Sequence, residues 1–338
     1  MKPKVFVTRS IISKFAPDDY QMLQEECQVE VFPHDRTIHK GELLEKVKNR
    51  EGILYCIGDP FFDKEIIEVG RDLKIIATVG VGFSHIDIDA ATSRGILVTN
   101  TYSDYIAMAV AEATWAMIPA IAKRVVEGDR DVRDGKFQGW GIADYIGADI
   151  LGKTLGIIGL GRIGKKVARV SRGWDLRILY NDIIAADPET EKELKVERVP
   201  LDTLLKESDF ITLHVPLTKG GDHPTYHLVG EKELSLMKPS TYLINTCRGP
   251  VIDEKILVKF LKEKRIAGAA LDVYEYEPKL SEGLVDLYNA ILNPHSASAT
   301  PKARRSYAAL AIQNLLTGLR GETPPNLVNE EVIRGMDS

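Results

Sequence analysis

The sequence predicts an α/β protein of two doubly wound parallel-sheet domains, the second inserted into the first. Three observations predict it. A glycine-rich turn stands between two apolar runs at mid-chain, and short β-branched runs alternate with helix-patterned segments on both sides of it. An amphipathic segment, Ala303–Leu319, then comes late enough to return the chain to the first domain.

In chain order, the runs Lys4–Thr8, Val29–Phe32, Gly52–Ile57, Leu73–Val79 and Ile96–Thr99 read as strands, with helix-like segments such as Asp18–Cys27 and Gly41–Lys48 between them. That alternation predicts a parallel sheet, flavodoxin-like in its build. The loop Val79-Gly80-Val81-Gly82-Phe83-Ser84 follows a strand end, where open α/β sheets bind ligands. It is either a backbone N–H cradle for a carboxylate or a plain tight turn.

Ile106–Val126 is small and apolar, which predicts a long buried helix crossing to the second domain, with a kink or break at Pro119. Glu112 on it faces either solvent or a cofactor. From Asp129 to Ile150 the pattern is irregular, and Phe137, Trp140 and Tyr145 make this stretch either a subunit-contacting arm or a surface loop.

The central unit runs from Gly152 to Asp182. Leu155–Ile158 leads into Gly159, Gly161 and Gly164, a helix pattern follows, and a second run, Ile178–Tyr180, ends at Asp182. Gly159 serves a tight turn, Gly161 admits a pyrophosphate to the backbone, and Gly164 lets the helix lie close to the strand. Arg162 and Ile163 open that helix, whose N–H groups and dipole favour phosphate. Asp182 stands where an acid accepts the ribose hydroxyls. This is the fingerprint of a Rossmann dinucleotide site, and with Ile183 after the acid it predicts NAD ahead of NADP.

Phe210–Val215, Thr241–Asn245, Ile266–Val273 and Ala290–Leu292 continue the strand series. The domain boundaries predicted are residues 1–102 with 291–338 for substrate binding and 103–290 for the nucleotide. Arg248, Glu277 and His295 each follow one of these runs, so parallel strands bring all three to one sheet edge. They are the residue types that reducing an α-keto acid needs: a forked cation for the carboxylate, an imidazole for the proton, and a carboxylate to keep that imidazole charged.

Composition narrows the classes. With 338 residues, 44% of them hydrophobic and a formal net charge of −5, the chain predicts small-molecule partners and neither nucleic acid nor an anionic membrane. Three scattered cysteines predict reduced thiols in the cytoplasm. His223 and His227 are four apart, but Pro224 denies them a helix, and no metal is predicted. The first apolar run is too short for a secretion signal, and no stretch is read as reaching membrane-spanning length.

GLGRIG at 159–164, LHVPLT at 213–218, NTCRG at 245–249, LDVYEYEP at 271–278 and NPHSASAT at 293–300 resemble, as a set, the D-isomer-specific 2-hydroxyacid dehydrogenase family. The resemblance spans nearly the whole chain. It implies that Arg248, Glu277 and His295 are the catalytic residues, that Val81 and Gly82 join Arg248 and His295 on the substrate, and that Pro216, Thr246 and Asp272 line the cofactor. It further implies a homodimer formed through the nucleotide domain. MKPKVFVTR, the loop before HIDID and PPNLVN look most like glyoxylate/hydroxypyruvate reductases. Within the same family, D-3-phosphoglycerate dehydrogenases and NAD-sensing corepressors are the alternatives.

Overall fold

The computed structural model describes residues 2–34 and 36–334. They divide into two compact units, one from the chain up to residue 106 together with the chain from 299, the other from 107 to 298.

In the first unit the strands are β1 (Lys4–Val7), β2 (Gln28–Val31), β3 (Gly52–Cys56), β4 (Ile75–Val79) and β5 (Leu97–Thr99), all parallel and ordered β2-β1-β3-β4-β5. That is the flavodoxin-like order. Both faces are buried, which explains why the strands read as continuous apolar runs without alternation. Phe6, Ile53, Tyr55 and Ile76 pack with Leu43 and Ile66 on one face. Val5, Leu54, Ile75 and Ala77 pack with Ala308, Ile312 and Leu315 on the other. The helix Pro301–Leu319 thus returns to the first unit, as its pattern predicted. Thr300 caps it, its hydroxyl accepting the Ala303 N–H at 3.2 Å.

The second unit holds β6 (Thr154–Ile158), β7 (Arg177–Asn181), β8 (Val196–Arg198), β9 (Phe210–Leu213), β10 (Tyr242–Asn245), β11 (Gly268–Leu271) and β12 (Ala290–Leu292). The order is β12-β11-β10-β9-β6-β7-β8, again all parallel. Strand order reverses between β6 and β9, and the crevice beyond that point is where such sheets bind dinucleotides. β12 pairs with β11, so the chain leaves this unit after Ser298 and not at residue 290.

The long helix runs Asp104–Ala122, straight through Pro119. Met117, Ile118, Ile121 and Ala122 are packed against Leu155 and Ile157 of β6, and this burial holds the last turn where the proline was predicted to end or kink it. The break comes instead at Arg124, in a left-handed conformation, before a helix Val125–Arg133 whose residues from Asp129 onward read as irregular in the sequence. No residue of that helix is buried, and ion pairs such as Arg133–Asp129 support it. Asp104–Ala122 is also long and apolar enough to cross a bilayer, contrary to the expectation for the chain. More than half of it is buried inside the protein, which accounts for its composition.

Candidate active site

The dinucleotide turn is built as the glycines require. Gly159 has φ +93°, and a Cβ on it would lie 2.6 Å from the His214 carbonyl oxygen. A Cβ on Gly164 would lie 2.2 Å from the Gly159 carbonyl oxygen, so the helix Arg162–Val170 rests directly on the turn. Gly161 is different. A Cβ there would meet no protein atom within 4 Å, so folding alone does not call for glycine, whereas a group seated over the helix start does. No side chain caps this helix, the condition under which its first N–H groups take an anion.

Asp182 follows β7 and is tied to the same turn: one carboxylate oxygen accepts the Leu160 N–H at 2.7 Å and the other the Ile184 N–H at 3.0 Å. Each oxygen keeps a lone pair for a hydroxyl. Arg198, at the end of β8, donates to the Asp182 carbonyl at 2.9 Å. No arginine adjoins Asp182 along the chain, but the fold brings one to it through a three-residue edge strand that sequence reading missed. These residues fit a dinucleotide. His214, just past β9, is half-buried, but both its ring nitrogens are inaccessible and meet no partner among the described residues, and desolvation pushes its pKa down to about 3, so the ring is neutral.

At the other strand ends the chemistry-bearing side chains meet. His295 lies three residues past β12 with φ +50°, a conformation costly for a non-glycine residue and one found at functional sites. Its Nδ1 is 2.9 Å from Oε2 of Glu277, which follows β11. The other Glu277 oxygen accepts the Tyr274 N–H at 2.9 Å. Burial pushes the Glu277 carboxyl up, but the hydrogen bond and charge of His295, the Tyr274 N–H and the Arg248 charge together hold it below its ordinary 4.5. A carboxyl depressed on folding keeps its pairing through the neutral range and loses it only as pH falls through that lowered value.

Arg248 follows β10, where its carbonyl accepts the Asn245 amide at 2.9 Å and its Nη1 donates to the Cys247 carbonyl at 2.6 Å. The next residue, Gly249, touches the Glu277 loop: a Cβ there would fall 1.9 Å from the Tyr274 carbonyl carbon and oxygen.

Asp272 is buried, and its carboxylate faces the histidine loop, accepting the N–H groups of Ser296 at 2.8 Å and Ala297 at 2.9 Å and the Asn293 amide at 2.5 Å. Thr246 Oγ1 lies 2.8 Å from Thr114 Oγ1. The Thr114 hydroxyl donates to the Val110 carbonyl, so the shared hydrogen comes from Thr246, whose oxygen then offers only lone pairs. The Pro216 carbonyl accepts the Thr225 hydroxyl at 2.6 Å, and Glu112 faces solvent. In the first unit, the Val81–Gly82 loop is tied to the segment after β5, the Val81 carbonyl accepting the Asn100 amide at 3.2 Å.

Sequence spacing argued against a metal, yet the fold does gather His227, Asp253 and Glu275, with potential ligand atoms within 4.8 Å of one another. The two imidazole nitrogens face different carboxylates, Nε2 2.8 Å from Glu275 and Nδ1 3.8 Å from Asp253. This is an imidazole bridging two acids.

The profile described as "D-isomer specific 2-hydroxyacid dehydrogenase, NAD binding domain" matches residues 115–297. The chain belongs to this family. A glyoxylate reductase from Thermococcus gammatolerans is 46% identical over 99% of this chain and 98% of its own length. One from Pyrococcus furiosus is 45% identical over 99% and 97%. Among solved structures, that of a glyoxylate reductase from Paecilomyes thermophila shares 29% identity with a TM-score of 0.84, covering 98% of this chain and 99% of that one. A D-2-hydroxyacid dehydrogenase of this kind is an oxidoreductase with a nicotinamide cofactor, acting on a 2-keto or 2-hydroxy acid.

In this dehydrogenase, sequence reading missed Thr114, His214, Asn293 and Glu254. Thr114, Asn293 and Glu254 each hold a neighbour of the strand edge, whereas the ring nitrogens of His214 meet no partner among the described residues; Asn293 and His214 lie inside the quoted motifs, yet their spacing gave them no role.

Proposed function

We propose that this dehydrogenase reduces a small 2-keto acid, glyoxylate or hydroxypyruvate, to the D-2-hydroxy acid with NADH. The observation that carries this is the 2.9 Å contact between His295 and Glu277 on the strand edge that also bears Arg248. A bound reduced nicotinamide supplies the hydride. Arg248 anchors the substrate carboxylate and polarises its carbonyl, with Val81 and Gly82 adding backbone N–H groups. His295, its Nδ1 taken by Glu277, gives the Nε2 proton to the oxygen that gains charge as hydride arrives at carbon. Glu277 stays ionised and steadies the imidazolium that must stand ready beforehand. Asp272 holds the 293–297 loop that presents the imidazole. The names of the relatives support glyoxylate as the substrate.

The test is loss of nicotinamide absorbance with glyoxylate, hydroxypyruvate, pyruvate, 2-ketoisocaproate, phenylpyruvate and 3-phosphohydroxypyruvate, using NADH and NADPH in parallel. Turnover is expected with the smallest acids, and NADH is expected to be the better donor because Asp182 opposes a 2′-phosphate. A preference for NADPH would assign Arg198 to that phosphate, and a preference for the phosphorylated acid would overturn the substrate.

We infer further that the enzyme is a cytoplasmic homodimer paired through the nucleotide unit. Trp140 and Ile142 on the 134–150 arm are 86% and 85% exposed, and large apolar side chains this bare mark a contact surface. A groove of about 710 Å³ in the same unit, bordered by Ile121, Tyr242 and Tyr288 together with Arg124, Glu127 and Lys262, offers a mixed polar and apolar lining to a partner's arm. Trp140→Asp is expected to reduce the mass measured by light scattering from two chains to one; a wild-type monomer would refute the pairing.

A further inference from the structure

Glu254 opens the helix Glu254–Lys262 and is only 2% exposed. Its two oxygens take two backbone donors from one loop: Oε2 accepts the Glu275 N–H at 2.9 Å and Oε1 the Ser281 N–H at 2.7 Å. Glu275 returns the contact, its Oε2 accepting the Glu254 N–H at 3.1 Å while its Oε1 meets His227 Nε2 at 2.8 Å. Helix start and loop therefore hold each other by a closed exchange of carboxylates and N–H groups. Glu277, the partner of His295, lies between the two fastened residues.

We propose that Glu254 is a positioning residue for proton transfer, fixing both ends of the 275–281 loop and through it the place of Glu277 against His295. The inference rests on the reading that this pair moves the proton. The chemistry of the site calls for a carboxylate: two N–H groups approach two different oxygens, and only an ionised acid offers acceptors on both. Glutamine at 254 would turn an NH₂ toward one of those N–H groups and leave a buried donor unpaired. The charge is tolerated because the helix N-terminus lies behind it. The Tyr274 N–H on Glu277 is the competing anchor; it fixes the carboxylate within the loop but not the loop against the helix.

In the full-length enzyme, Glu254→Gln is expected to lower kcat for the preferred keto acid by about 10- to 100-fold, the scale of an ångström of misplacement. The NADH dissociation constant, measured by fluorescence, is expected to stay within about twofold, because the glycine turn is untouched. Amide exchange of a peptide spanning 274–282 is expected to quicken. The acidic limb of the kcat/KM profile is expected to move to higher pH, since a Glu277 loosened from His295 loses the contact that lowers its pKa. A purely structural role would lower the plateau and leave that limb in place, and this result or a wild-type kcat overturns the proposal. Should Glu254→Gln fail to fold, Glu275→Gln removes the other carboxylate of the exchange and is expected to shift the limb in the same direction; an unmoved limb there also overturns it. Wild-type enzyme that reduces none of the acids refutes the functional reading instead, and the exchange rates alone still report whether Glu254 fastens the loop.

Discussion

Replacing His295 by alanine lowers turnover of the preferred keto acid by about 10²- to 10⁴-fold, the usual worth of a positioned general acid, while NADH binds as before. The reason lies in the strand-edge geometry. Glu277 holds Nδ1 at 2.9 Å, and the loop that carries the imidazole is pinned by Asp272 through Ser296 and Ala297. Alanine removes the only ring in that contact and leaves the pinned loop standing, so the loss belongs to chemistry and not to folding. With the imidazole gone, burial, already the largest single influence on Glu277, meets less opposition, and its carboxyl moves up from its lowered value. The residual activity therefore carries a different acidic limb from the wild type. The measurement is a pH series of single-turnover reduction with an NADH titration beside it, and undiminished turnover would mean that another acid supplies the proton.

What could be read in the sequence follows from range. The glycine turn, Asp182 and the three strand-end residues are legible because strand, turn and helix lie within a few residues of each other, and because parallel strands place their ends along one edge. The continuous runs of β3 and β4 are legible because both faces are buried, as the packing of Ile53 and Leu54 into separate cores shows. β8 was not, since only Val196 of its three residues is buried and an edge strand leaves little pattern. Arg198 went unnoticed for the same reason, and with it a guanidinium at the Asp182 carbonyl. Pro119 misled because its cost to a helix is local, whereas the packing that overrides it comes from β6, far along the chain. Glu254 and Thr114 act through partners 21 and 132 residues away, a distance at which spacing carries no information.

Gly249→Ala and Gly161→Ala separate two reasons for a glycine, and they are expected to fail in opposite ways. At Gly249 the protein itself fills the space: an added Cβ would sit 1.9 Å from the Tyr274 carbonyl, which is backbone and cannot rotate aside. The Glu277 loop must then move off the Arg248 turn by an ångström or more, which is expected to cost about 10² or more in kcat and about 1–3 kcal/mol in stability. NADH binding is expected to persist, because Gly159, Gly161 and Gly164 are not involved. At Gly161 nothing of the protein lies within 4 Å of the added atom, so alanine there is expected to leave thermal unfolding unchanged. What it obstructs is the space over the start of the Arg162–Val170 helix, and NADH affinity is expected to fall by about tenfold or more, the equivalent of one lost contact of about 1.4 kcal/mol. Calorimetric melting and NADH titration of the two variants side by side read both effects. Should Gly161→Ala bind NADH like the wild type, the pyrophosphate does not lie over that helix, and the dinucleotide site would have to be sought elsewhere along the β6–β9 crevice.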